Sequence, residues 1–341
     1  MKAEIAAPSA PPPWLAAACE TLRRARASGR FPPALLIHEQ PGCGGDWLAG
    51  FAAQAALCRG ADAPCGHCED CRRAAAGQHP DLLRLGPAED SQYIRVEQVR
   101  ELCGELALTA HGGGATVAII APAEAMNVNA ANALLKTLEE PRPGATLVLV
   151  SAAPSRLPAT VRSRCQRLRV PVPSRAECLA WLRATGGAQD WDAVLDVVGN
   201  APLTAQRLDP AALVKLRDET AAALDDAARA SLDIPGTADR WAKSPTYELR
   251  LDCIENWLTV RLEQAARSAA ENAESRGLQP LPSRRSHLNM KTLVRSLDAL
   301  HELGQLGSTS VNKALALEQL LWELAPPAAG QAGRGAAARR P

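Results

Sequence analysis

Residues 34–57 read "ALLIHEQPGCGGDWLAGFAAQAAL". An apolar run, Ala34 to His38, leads into a glycine-rich turn. The turn leads into "FAAQAAL", which has the character of a helix. A strand that passes through glycines into a helix is the setting of a phosphate-binding loop, because the first N–H groups of the helix face an anion. Such a loop ends in glycine, lysine and then serine or threonine. Here Gly42 and Gly44 keep the turn, but the lysine position holds Gly45 and the hydroxyl position holds Asp46. The Asp46 carboxylate would face the phosphates. The stretch predicts a P-loop-type α/β fold that has lost the groups needed to hold a nucleotide.

Working outward, more apolar runs alternate with helix-like segments. Asp81–Leu85, Thr116–Ile120, Thr146–Val150 and Gln166–Val170 join Ala34–His38 as strand candidates. Several are continuously apolar, as suits a parallel sheet buried on both faces. Val96–Leu108 and Ala130–Glu140 have helical character. In "NVNAANALLKTLEEP" (127–141), Ala131, Leu134, Leu135 and Leu138 share a face at three- and four-residue spacing. Asn127 or Asn129 can cap that helix, and Pro141 stops it.

After "RVPVPSR" (169–175) the strand-like runs cease. Residues 175–208 contain short helices. Asp209 with Pro210, and Ser244 with Pro245, form cap and first-turn pairs for new helices. A last helical pattern spans 311–324. The expected division is a disordered N-terminus at 1–13, an α/β domain at 14–170 and a small helical domain at 171–209. An all-helical domain at 210–325 and a low-complexity tail at 326–341 complete it.

The formal charge is +1, so the chain as a whole is no polyanion binder. No secretory signal is read in "MKAEIAAPSAPPPW", and no apolar run approaches the ~20 residues of a membrane span. The expected location is the cytoplasm, with no membrane contact. Ten cysteines there do not predict a disulfide framework.

Four of the ten cluster. In "LCRGADAPCGHCEDCRR", Cys58, Cys65, Cys68 and Cys71 have the spacing C-x6-C-x2-C-x2-C. Overlapping C-x2-C units bring thiolates to one ion, and a fourth from the preceding helix end closes a tetrahedral site. Four sulfurs leave no position for water, so structural zinc is the expectation. An iron–sulfur cluster also uses four thiolates. Four free thiols are the plain alternative. His67 is a further ligand candidate, ranked below the cysteines.

A working P-loop ATPase also needs acidic residues at the end of a second strand to complete its magnesium site. "TVAII" ends instead in Ala121 and Pro122, with Glu124 beyond. Lysine, hydroxyl and acidic pair are missing together. No ATP binding or hydrolysis by this chain is expected.

"HEQPGCGG", "CGHCEDC", "HPDLLRL", "AANALLKTLEEP", "SRLPATVRSRC" and "VNKALALEQLLWEL" occur in that order. From about residue 14 to 325 the chain resembles the AAA+ clamp-loader family of bacterial DNA polymerase III. The damaged P-loop places the resemblance with its delta-prime subunits rather than the ATP-hydrolysing gamma/tau subunits.

The resemblance implies an AAA+ domain, a helical lid and a helical collar that assembles with delta and gamma/tau subunits into a hetero-pentamer. Such a complex loads a sliding clamp onto primer–template DNA. It implies zinc on Cys58, Cys65, Cys68 and Cys71. It also implies an arginine finger, Arg164 of Ser163–Arg164–Cys165, that reaches the ATP of a neighbouring subunit. The lid position that carries a phosphate-sensing arginine in AAA+ motors falls near Leu203, with Arg207 one turn later. Two other readings are an active gamma/tau-type ATPase and a stand-alone zinc-module nucleic-acid binder. A near-neutral chain with 3% aromatic residues does not favour the second.

Overall fold

The computed structural model describes residues 11–88, 91–111, 114–274, 290–306 and 313–326. These residues form two compact units. One comprises the chain up to residue 191 together with 200–208, and the other comprises 192–199 and the chain from 209 onward.

The first unit is built on a parallel sheet of β1 (Ala34–His38), β2 (Leu82–Leu85), β3 (Thr116–Ile120), β4 (Ala145–Ser151) and β5 (Gln166–Arg169). The strand order is β2-β3-β4-β1-β5. The unbroken apolar runs have a direct cause. Leu35 and Ile37 of β1, with Val148 and Val150 of β4, enter one core. Leu36, Leu147 and Leu149, the alternate residues, enter another on the opposite face. Both faces of these two strands are covered, so their central positions, 35–37 and 147–150, are all apolar.

The first core is closed by α1 (Ala16–Ala27) and α2 (Gly45–Leu57), and α3 (Glu69–Ala75) packs on α2. The second is closed by α4 (Val96–Ala107), α5 (Val128–Ala133), α6 (Leu135–Glu139) and α7 (Ala159–Arg162). Asn127 caps α5 by accepting a 2.8 Å hydrogen bond from the Ala130 N–H. The continuous helix expected at 130–140 is divided. Leu134 N–H bonds back only three residues, to Ala131 C=O at 3.2 Å, and this tight turn separates α5 from α6.

The expected disorder at 1–13 lies mostly outside the described residues. At 11–13 it is corrected. Pro13 opens a short 3₁₀ turn, Pro13–Leu15, that buries Trp14 and Leu15. The Trp14 indole N–H donates to Cys43 C=O at 2.7 Å and ties this entry to the glycine turn. The disorder expected at 327–341 also lies outside the described residues.

Three short helices follow the sheet: α8 (Arg175–Gly186), α9 (Trp191–Val198) and α10 (Pro202–Arg207). α8 starts with a capping box of Ser174 and Glu177. α8 and α10 pack together in the first unit, whereas α9 beyond Trp191 belongs to the second.

The rest of the second unit is α11 (Pro210–Ala228), α12 (Ile234–Ala242), α13 (Tyr247–Glu274), α14 (Met290–Leu306) and α15 (Lys313–Leu324). Asp209 caps α11 ahead of Pro210, as expected. Ser244 and Pro245 instead form a turn before α13, with Ser244 Oγ accepting from Thr246 N–H at 3.2 Å. Ile234, Trp241, Ile254, Leu258, Leu317 and Leu321 anchor one helical core. The architecture is an α/β sheet unit of the P-loop type followed by helices, the fold class expected from sequence.

Candidate functional site

The glycine turn between β1 and α2 has the backbone of a phosphate cradle. Gly42 and Gly44 hold φ of +80° and +112°, values that L-residues with a Cβ rarely adopt. The N–H groups at the start of α2 therefore converge on an anion position. That position is already filled. Glu39, which stands where the P-loop pattern has its first glycine, curls back over the turn. Its Oε2 accepts from Gly45 N–H at 2.5 Å, and the Gly44 N–H also draws on the carboxylate.

Sequence reasoning missed Glu39. Its position in the pattern was a visible signal, but the rotamer that returns it six residues along was not.

The cradle is also covered. Leu203 N–H of α10 donates to Gly42 C=O at 3.1 Å, and the Cys43 thiol lies 3.3 Å from Asn200 C=O. Leu203, at the position expected for a sensor arginine, packs on the turn. Arg207 lies exposed at the far end of α10. Gly45 and Asp46 open α2, as read from sequence. Glu124 sits after β3, and its Oε1 accepts from Ala152 N–H at 3.0 Å.

Burial pushes the Glu39 pKa up to about 7, and the charges of Asp46 and Glu124 add to the rise. The N–H groups of Gly45 and Gly44 pull the other way. The folded chain thus binds a proton that the unfolded chain, with a value of 4.5, releases. Stability from this group is full below the unfolded value and is lost as pH rises through about 7. The loss should be about 1–3 kcal/mol after allowance for partial exposure. Glu39→Gln keeps an acceptor for Gly45 and leaves Asp46 and Glu124 in place. Its melting temperature should exceed that of the parent at pH 8 and match it near pH 5. A difference that does not vary with pH would remove the assignment.

Arg164 follows α7 beside Ser163 and Cys165, and its side chain is partly exposed. Its Nη1 donates to Thr160 C=O at 2.9 Å, and its Nη2 pairs with Glu139 Oε1 at 2.6 Å. Glu139 ends α6, in the "LLKTLEEP" segment. The two sequence motifs thus meet in space. An exposed pair of this kind contributes only about 0–1 kcal/mol, so a stronger anion can take the guanidinium away. Cys165 is buried in the core behind it.

The four clustered cysteines converge. All four Sγ atoms lie within 4.8 Å of one another. Cys58–Cys65, Cys58–Cys68 and Cys65–Cys71 sulfurs are 3.6, 3.9 and 4.0 Å apart. Four sulfurs at a zinc–sulfur distance of about 2.3 Å would stand roughly 3.8 Å apart in a tetrahedron. The spacing fits a single ion.

Backbone N–H groups of Gly60, Cys68 and Cys71 point at the sulfurs of Cys58, Cys65 and Cys68, each at 3.4 Å. The N–H groups of Cys68 and His67 bring the Cys65 thiol down to about 6, whereas burial pushes Cys71 up. A cation among them would favour the thiolate form of all four. His67 is not in the group. Its Nδ1 lies 2.8 Å from Cys65 C=O, and the residue is exposed.

Residues 14–174 match the family described as "DNA polymerase III, delta subunit". The DNA polymerase III subunit delta' of Pseudomonas aeruginosa is 36% identical over 299 residues, covering 84% of this chain and 90% of that protein. The corresponding protein of Yersinia pestis is 34% identical over 329 residues, covering 92% and 95%. The DNA polymerase III subunit tau of Bacillus subtilis is 31% identical over 150 residues, covering 43% of this chain and 26% of that protein. The likeness to tau is thus confined to part of each chain, whereas the likeness to delta' runs through both units. On that extent of identity, the chain belongs to the family of DNA polymerase III delta' subunits.

Proposed function

We propose that this chain is the non-hydrolysing, rigid member of a clamp-loader complex and that it donates Arg164 to the ATP site of the next subunit. The observation that carries the reading is the Glu39 carboxylate on the Gly45 N–H, in the place of a phosphate. With Gly45 and Asp46 in place of the lysine and hydroxyl, the cradle has neither the cation nor the magnesium ligand that ATP needs. α10 is seated on Gly42, which closes the turn with the chain's own backbone.

Chemistry then depends on what the chain presents outward. Arg164 is partly exposed and held by one surface carboxylate. An arginine supplied in trans stabilises the charge that develops on a γ-phosphate and acts only when subunits are docked. In this reading the Arg164 guanidinium exchanges Glu139 for the neighbour's phosphate.

The partners are delta and gamma/tau subunits in a hetero-pentamer, and through them a sliding clamp and primer–template DNA. The division into an AAA+ domain at 14–170, a lid at 171–209 and a collar at 210–325 belongs to the same proposal. So does zinc on Cys58, Cys65, Cys68 and Cys71, which would brace the loop between α2 and α3 without taking part in the reaction. No described helix is long and apolar enough to cross a membrane. The proposed location is the cytoplasm.

Calorimetry tests the cradle. The isolated chain should show no magnesium-dependent ATP binding up to millimolar nucleotide (a Kd above roughly 1 mM, ~4 kcal/mol or less). Micromolar binding that requires magnesium would overturn the reading.

A further inference from the structure

A second cleft opens at the carboxyl ends of the strands, beside the cradle. It is lined by the ends of β1 and β5, the loop after β4, and α7. Ala152, Ala153 and Pro154 give it an apolar wall, and His38, Arg162, Arg167 and Arg169 give it donors. No residue from Glu39 to Asp46 lines it. Clefts outside the carboxyl ends of parallel strands are where α/β proteins take ligands.

The register explains the cluster. Arg167 stands beside Leu36 and Arg169 beside His38 across the parallel β1–β5 ladder. Two residues apart on a strand, both arginines share one face. That is the face whose core Leu36 enters. Arg162, the last residue of α7, comes in from the helix that covers this face.

The charge is unbalanced. No carboxylate lines the cleft. Among the described residues, none of Arg162, Arg167 and Arg169 has an ion pair, whereas Arg24, Arg73, Arg164 and Arg261 each hold a carboxylate. Arg162 Nε is buried and has no acceptor. Buried N–H groups are rarely left so. Planar guanidinium donors suit phosphate oxygens in particular.

We propose that this cleft binds a small phosphorylated molecule, with the three arginines on its phosphates and the apolar wall against its body. The volume, about 530 Å³, lies in the range of small-molecule sites. A nucleic-acid strand is less suited, because it needs a long cationic track with aromatic platforms. The inference does not depend on Arg164 or on the clamp-loader role.

Inorganic triphosphate, titrated into the full chain in magnesium-free buffer, is the probe. One saturable site per chain is expected. Arg167→Glu with Arg169→Glu should weaken it by roughly tenfold or more, since charge-assisted hydrogen bonds are lost. Both side chains are exposed, and an unchanged melting temperature would confirm folding. Arg162→Gln, which keeps a neutral donor, should weaken binding by less than the double change. Lys215→Glu with Arg229→Glu makes the same change in net charge in the other unit and should leave affinity alone. The proposal fails if no saturable site is found, or if the cleft and control pairs weaken binding equally. It also fails if single-stranded oligonucleotide binds and triphosphate does not compete.

Discussion

Replacing Arg164 by alanine is expected to lower the ATP turnover of the reconstituted clamp loader while leaving its assembly intact. A finger arginine stabilises charge that appears on the γ-phosphate only at the transition state, and in comparable enzymes it contributes about 10³–10⁵-fold. Only the site that faces this chain would lose it, so the total should fall by that site's share, and further if the sites fire in sequence. Arg164→Lys should not restore the rate, because an ammonium cannot reproduce the planar fork.

Folding should be little affected. The pair with Glu139 is partly exposed on both sides, and the buried neighbour Cys165 stays in place. Clamp- and DNA-stimulated turnover that matches the parent would exclude the role. A complex that no longer assembles would show that Arg164 holds the interface rather than serving the reaction.

The second large effect concerns the cysteine module. The purified chain should carry about one zinc, and Cys65→Ser or Cys68→Ser should abolish it, since three sulfurs bind the ion far more weakly than four. The reason for a large structural effect is that the module has almost no core of its own. Its buried cluster consists of Cys58, Ala63 and Cys71, with Cys65 and Cys68 packed against them. Four of those five residues are the proposed ligands. Without the ion their sulfurs have nothing to converge on.

Local opening should follow, with trypsin cutting at the exposed Arg59, Arg72 and Arg73. The sheet should remain folded because its cores lie elsewhere. A metal-free chain that resists trypsin as well as the parent would sink the zinc assignment. Visible absorbance from a brown chain would point to iron and sulfide instead.

Much of this was legible in the sequence for identifiable reasons. A parallel sheet with two dry faces leaves unbroken apolar runs, and β1 and β3 fell where those runs fall. The cysteine cluster was legible because overlapping C-x2-C units bring thiols together whatever lies around them. The loss of nucleotide-holding groups was legible because the P-loop admits so few residue types at positions 45 and 46.

What escaped notice depends on side-chain direction and on distance along the chain. Nothing local in "HEQPGCGG" says that Glu39 returns to Gly45. Nothing in "SRC" says that Arg164 meets Glu139, twenty-five residues earlier. The division of α5 from α6 at Leu134 was hidden because an apolar stripe continues through a tight turn unchanged. The anchoring of Pro13–Leu15 was hidden because prolines mark both tails and helix starts.

The Glu39–Gly45 contact also bears on how this chain can change over evolutionary time. A side chain at position 45 would place its Cβ against the Glu39 carboxylate. One at Gly42 would run into Thr204 and Ala201 of the covering segment. Gly45→Lys alone therefore displaces the carboxylate and leaves Asp46 facing the phosphates. Asp46→Thr alone leaves the cradle full. Neither change alone supplies both the cation and the magnesium ligand that a nucleotide needs. On the proposed reading, a nucleotide site in this loop takes changes at positions 39, 45 and 46 together, and the subunit's shape stays independent of ATP until all three are made.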